Sequence, residues 1–148
     1  MGGKPLKRLA LLALCLSPFL CSHVALGAEA VDSCWTAVGR PLRVVDGDTF
    51  DAELKWEWHW HQTKVTIEAV ERVRLFGFDT PEMTGDDRPR GEAALAFTQN
   101  WLARGPIDVT SCLRWGKNGR DAFGRSLAIV QRESEDLAEL LDRAGHRK

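Results

Sequence analysis

The chain has 148 residues, with 20 Lys+Arg set against 21 Asp+Glu and a formal net charge of −1. That balance excludes a bulk basic surface, so any contact with nucleic acid has to be local. There is no internal repeat, low-complexity tract or linker, and the length suits one domain.

Residues 1–27 read as a secretory signal and not as part of the fold. Lys4, Lys7 and Arg8 form a positive n-region, and Leu9 to Leu20 is apolar apart from Ser17 and Pro18. Small residues at Ala25 and Gly27 offer a cleavage site, with Ala28-Glu-Ala30 as a second. The apolar run is too short to span a bilayer, and Cys15 and Cys21 each follow a leucine, where a lipoprotein signal wants a small residue. A secreted or periplasmic protein is therefore expected, without stable membrane association. Three basic and no acidic residues leave with the signal, so 17 basic against 21 acidic residues give the mature chain a net charge of −4. Of four cysteines, Cys34 and Cys112 remain, in an oxidising compartment.

Val31 to Val45 predicts an irregular lead-in and a first strand bent near Pro41. Asp46-Gly47 then marks a hairpin turn, read from the ability of glycine to take a positive φ. Asp48 and Thr49 are not needed by that turn. From Phe50 to Trp60 the chain alternates strictly, with Phe50, Ala52, Leu54, Trp56, Trp58 and Trp60 on one face. Such a strand is long for a small domain and predicts a bulge or a protruding hairpin tip. Its three tryptophans are expected to be structural or peripheral and not a base-stacking platform, and His59 and His61 to be solvated. Gln62 to Lys64 is expected to turn the chain, and Val65 to Phe76 to return as the third strand.

That strand carries Arg74 into Asp79-Thr-Pro-Glu82, where Pro81 fixes φ and removes a donor, so the sheet cannot continue. After a polar loop, Glu92 to Arg104 predicts a helix with Ala93, Ala94, Phe97, Trp101 and Leu102 on its apolar side. Ile107 to Trp115 and Arg125 to Val130 read as the fourth and fifth strands. Asp136-Leu-Ala-Glu139 is a capping box that opens a second helix, ended by Gly145. Three strands, a helix, two strands and a helix make an α+β domain whose natural closure is a five-stranded barrel.

Three motifs stand together in this order: Val45-Asp-Gly-Asp-Thr-Phe50, Arg74-Leu-Phe-Gly-Phe-Asp-Thr-Pro-Glu82 and Asp121-Ala-Phe-Gly-Arg-Ser-Leu-Ala128. From Val44 to Gly145 the chain resembles the staphylococcal nuclease (thermonuclease) family. The resemblance implies an OB-fold barrel over residues 28–148 and calcium-dependent hydrolysis of DNA and RNA; a monomer is expected. It implies Asp48 and Asp79 as calcium carboxylates, Thr80 as a carbonyl ligand, Glu82 as general base, and Arg74 and Arg125 as holders of the phosphate.

The chemistry of these side chains agrees with that assignment. Guanidinium forks match pairs of phosphate oxygens, hard carboxylates suit calcium, and a carboxylate can take a proton from water. The loop after Glu82 is short for the family, Phe123 stands where tyrosine is common, and nothing follows the second helix that could form the family's third. A non-catalytic single-stranded nucleic-acid-binding module, or a secreted interaction protein using the tryptophan hairpin, are the competing readings. In a five-stranded barrel of this kind the first strand lies beside the fourth, which predicts a Cys34–Cys112 disulfide, with Cys34 just ahead of the first strand.

Overall fold

The computed structural model describes residues 33–148. The expected signal segment lies outside them, as does the side chain of Trp60. Strands β1 (Cys34–Val44), β2 (Thr49–Trp60) and β3 (Thr63–Leu75) form an antiparallel meander, followed by a single 3-10 turn at Gly85–Asp87 and helix α1 (Arg88–Leu102). Then come β4 (Ile107–Cys112), β5 (Ser126–Arg132), a two-residue strand β6 (Glu135–Asp136) and helix α2 (Leu137–Arg143). The strand order is β3-β2-β1-β4-β5-β6, and β3 also pairs in parallel with β5 through Val73–Ser126, Arg74–Leu127 and Leu75–Ala128. Five strands thus close on themselves in a mainly antiparallel α+β arrangement.

The alternation of β2 sets the interior. Phe50, Ala52 and Leu54 are fully buried with Val73 and Leu75 of β3, Ile107 and Val109 of β4, and Val130 of β5. Leu137 and Leu141 of α2 close the same core. Residues 50–55 of β2 pair on both sides, but beyond Lys55 the strand has only β3 as a neighbour, so the hairpin tip protrudes as its length predicts. Trp56 is half-buried and meets Trp35 edge to face at 5.2 Å, whereas Trp58 is 44% exposed on the tip. The bulge falls in β1, between Pro41 and Arg43.

Several boundaries differ from expectation. The second turn is His61-Gln62, with His61 at φ 53°, and β3 starts at Thr63. Helix α1 begins four residues before Glu92, because Pro89 fits the first helical turn, where its missing N–H costs nothing. Its buried face is Gly91, Ala94, Thr98, Trp101 and Leu102; Ala93 is exposed. β4 stops at Cys112, and the chain turns so that Trp115 stacks on Phe76 at 4.1 Å. The side chain of Asp136 caps α2 by accepting the Glu139 N–H at 3.2 Å. Cys34 is the first residue of β1, directly opposite Cys112 in the β1–β4 register, and the two form a disulfide. Among the described residues no helix is long and apolar enough to cross a membrane.

Candidate active site

Gly47 lies in the turn between β1 and β2, and it is needed there for space and not for a positive φ. A Cβ on it would stand 2.7 Å from Ala94 Cβ and 2.8 Å from Thr80 Cγ2. Thr98 of α1 fastens the same turn by donating to the Gly47 carbonyl at 2.6 Å. Gly91 plays the matching part under the other loop, with the Glu82 carbonyl 2.5 Å from where its Cβ would be. Helix α1 therefore presses two loops together, one bearing Asp46 and Asp48, the other Asp79, Thr80 and Glu82.

Asp48 is 3% exposed, and each of its oxygens has two donors. Oδ1 accepts from Arg74 Nη1 at 2.5 Å and Thr49 Oγ1 at 2.8 Å; Oδ2 accepts from the Thr80 amide at 2.9 Å and Thr80 Oγ1 at 3.2 Å. Arg74, opposite Thr49 in the β2–β3 register, also pairs through Nη2 with Asp79 Oδ1. Its guanidinium thus sits between two carboxylates. Nearby, Asp46 accepts the Asp48 N–H at 3.1 Å. Burial, and then the adjacent Asp48 charge, push its carboxyl above the ordinary value.

On the opposite wall, Arg125 precedes β5 in a turn organised by Asp121. Asp121 Oδ1 accepts the amides of Phe123 and Arg125, both at 2.9 Å, while Oδ2 accepts from Arg125 Nε at 2.6 Å. Burial pushes the Asp121 carboxyl up, but these bonds outweigh it and the net shift is downward. Arg125 Nη1 reaches Thr49 Oγ1 at 3.3 Å, and its guanidinium lies 5.3 Å from the ring of Phe123, itself 85% exposed. Glu82 pairs with Lys148, whose hydrogen bond and charge hold the Glu82 carboxyl below the usual range.

Asp48, Arg74, Asp79, Thr80, Glu82 and Arg125, the six residues singled out in the sequence, all line one cavity of about 610 Å³. Asp46, Phe123 and Lys148 line it too. Asp46 had been read only as a turn residue, although a third carboxylate two positions from Asp48 was a signal. Asp121 stood in a recognised motif, and its spacing of four from Arg125 marked the pair. Lys148 carried no local signal, since its neighbours in space are 66 and more residues away.

Among the described residues no group of three or more His, Cys, Asp or Glu is placed to hold a metal ion. Asp48 and Asp79 nevertheless converge on one positive charge, the Arg74 guanidinium, and offer hard oxygen donors of the kind calcium takes. The donor set therefore fits a hard cation, with Asp48 and Asp79 as the side chains that would hold it.

The fold and this cavity describe a small α+β protein that gathers two arginines and four carboxylates around one pocket. The thermonuclease of Staphylococcus intermedius is 33% identical over 91 residues, which cover 60% of this chain and 45% of that protein. The chain thus spans less than half the length of the curated relative it matches, and the similarity points to a nuclease-like relationship. No family model matches.

Proposed function

We propose that the chain is a secreted nuclease that hydrolyses phosphodiester bonds of DNA or RNA with calcium, on a five-stranded barrel of the OB-fold type. Residues 1–27 are its signal, and 28–148 the catalytic domain. The parallel β3–β5 pairing supports the barrel reading, since it joins the two ends of the five-strand order. The observation that carries the function is the meeting of Arg74, Arg125, Asp48, Asp79 and Glu82 around one cavity. A binding groove has no use for two cation carboxylates and a solvent-facing glutamate beside two guanidinium groups.

Arg74 and Arg125 take the oxygens of the scissile phosphate, Arg74 exchanging its carboxylate partners for them. Both keep their charge as negative charge grows on those oxygens in the transition state. Glu82 accepts a proton from water as the water oxygen bonds to phosphorus. The ester bond on the far side breaks, and its oxygen leaves with a proton from solvent. Asp48 and Asp79, with the Thr80 carbonyl, would hold calcium, which would supply Lewis-acid chemistry toward the phosphate.

The test is purified protein on denatured DNA and on RNA, with calcium and then with excess chelator. Turnover with calcium that stops on chelation is expected. Binding without turnover at any calcium level would instead identify a non-catalytic module.

A further inference from the structure

The segment after α2 is tied down residue by residue. His146 N–H donates to the Leu141 carbonyl at 2.9 Å. Arg147 lies over the Phe78 ring at 4.3 Å, pairs with Asp142 at 2.7 Å, and offers its carbonyl to Arg90 at 3.2 Å. Lys148 N–H donates to the Asp79 carbonyl at 2.9 Å. The backbone of Lys148 is thus fixed against the loop that carries Asp79 and Glu82. Its side chain is held far less firmly: Nζ meets Glu82 Oε1 at 2.9 Å, with the two side chains 48% and 66% exposed. An ion pair between partners this exposed contributes little to stability and is easily exchanged. The result is a point charge on a flexible stem, mounted on a rigid base at the cavity's rim.

The cavity wall carries four carboxylates, Asp46, Asp48, Asp79 and Glu82, against three cations, Arg74, Arg125 and Lys148. A nucleic-acid strand brings a second phosphate beside the scissile one. Arg74 is held between Asp48 and Asp79, and Arg125 by Asp121, whereas Lys148 is tied to the exposed Glu82. Resting on the nuclease reading, we propose that Lys148 is a substrate-anchoring residue, whose ammonium leaves Glu82 and pairs with the phosphate next to the one cleaved. The exchange gives the ammonium a new partner and turns the Glu82 carboxylate toward water. The chemical class of ligand is therefore a polynucleotide strand with at least two adjacent phosphates.

The experiment compares wild type, Lys148→Gln and Lys148→Arg on two substrates in calcium. One is a single-stranded oligothymidylate; the other is thymidine p-nitrophenyl phosphate, whose single phosphodiester has no neighbouring phosphate. Lys148→Gln raises KM for the oligonucleotide by about three- to ten-fold and leaves KM for the small ester unchanged. Lys148→Arg restores the oligonucleotide KM. In chelator, the binding of a fluorescein-labelled oligothymidylate gives a second readout. The slope of log affinity against log salt becomes shallower by about 0.7 in Lys148→Gln, as expected for one lost phosphate contact on a single strand. An equal KM increase on both substrates, a salt slope that the substitution leaves alone, or no binding by wild type overturns the assignment. Wild-type binding without cleavage of either substrate defeats the nuclease reading, and the salt slope then decides for Lys148 by itself.

Discussion

At the scale of single residues, the arginines are held differently, and substitution separates the consequences. Arg125 is aimed by Asp121 through two hydrogen bonds, one from its amide and one from Nε, so Asp121→Asn leaves the guanidinium in place but less well fixed. We expect Arg125→Ala and Glu82→Gln each to lower turnover by about two orders of magnitude or more, with Asp121→Asn intermediate and thermal unfolding little changed. Steady-state rates near wild type in either of the first two would refute the roles given to them. For the cation, Asp79→Asn is the cleaner probe, because Asp79 is largely exposed whereas Asp48 is buried among four donors. It raises the calcium concentration for half-maximal activity by roughly ten-fold or more, and an unchanged calcium titration would put the metal elsewhere. Asp46 makes a prediction about stability. Its carboxyl is raised by burial and by Asp48, so the folded state binds its proton more tightly than the unfolded chain does. Ionised Asp46 therefore costs stability above its raised pKa, and that cost is absent below the ordinary value of 3.8. In chelator, Asp46→Asn gains a few tenths to about 1 kcal/mol at pH 7, and the gain vanishes by about pH 3. Thermal melts at the two pH values check both the sign and the convergence.

At the scale of elements, the two loops owe their positions to the packing of α1 more than to their own sequences. The alternation of Phe50 to Leu54 and the capping box at Asp136 each determine structure through neighbours in sequence, and each could be read directly, whereas β3 ends at Leu75 in a turn with Gly77 at φ 68°, six residues before the expected breaker Pro81. The start of α1 could not, because Arg88-Pro-Arg-Gly91 reads as loop until Gly91 is seen against the Glu82 carbonyl. Gly47 was recognisable as a turn glycine, but its reason is the crowding of Ala94 and Thr80. Gly91→Ala tests this account with an inverted sign. In an ordinary helix interior the change stabilises by about 0.5–1 kcal/mol. Here the new methyl would meet backbone, and a loss of about 1–3 kcal/mol is expected, with reduced activity as the Glu82 loop shifts. A variant more stable than wild type would show that α1 is not pressed onto that loop as described.

At the scale of the whole molecule, the closure of the strands depends on a parallel pairing between β3 and β5, fifty-three residues apart at Val73 and Ser126. No local pattern signals that contact, which is why the barrel could be expected only from the number of strands and from resemblance. The Cys34–Cys112 bridge was accessible earlier, because only two of the four cysteines lie beyond the expected signal segment. It joins positions directly opposite each other in the β1–β4 register, at a sequence separation of 78. In the chain-entropy account a loop of that length contributes about 4.5 kcal/mol by restricting the unfolded chain, an upper figure because real unfolded chains are not random. Cys112 is buried and Cys34 exposed, so the variant that avoids placing a hydroxyl in the interior is Cys34→Ala with Cys112→Ala. We expect it to lose about 2–4 kcal/mol, lowering Tm by on the order of 10 °C, while the oxidised wild type gives no alkylatable thiol from either residue after denaturation. Reduction of the wild type lowers Tm by a similar amount and leaves the doubly substituted protein unchanged. Because the bridge lies at the end of β1 away from the Val45–Asp48 turn, calcium requirement and KM stay at wild-type values below the transition. A loss of turnover at temperatures where the variant is fully folded would mean instead that the strand ring transmits strain from β1 to the site.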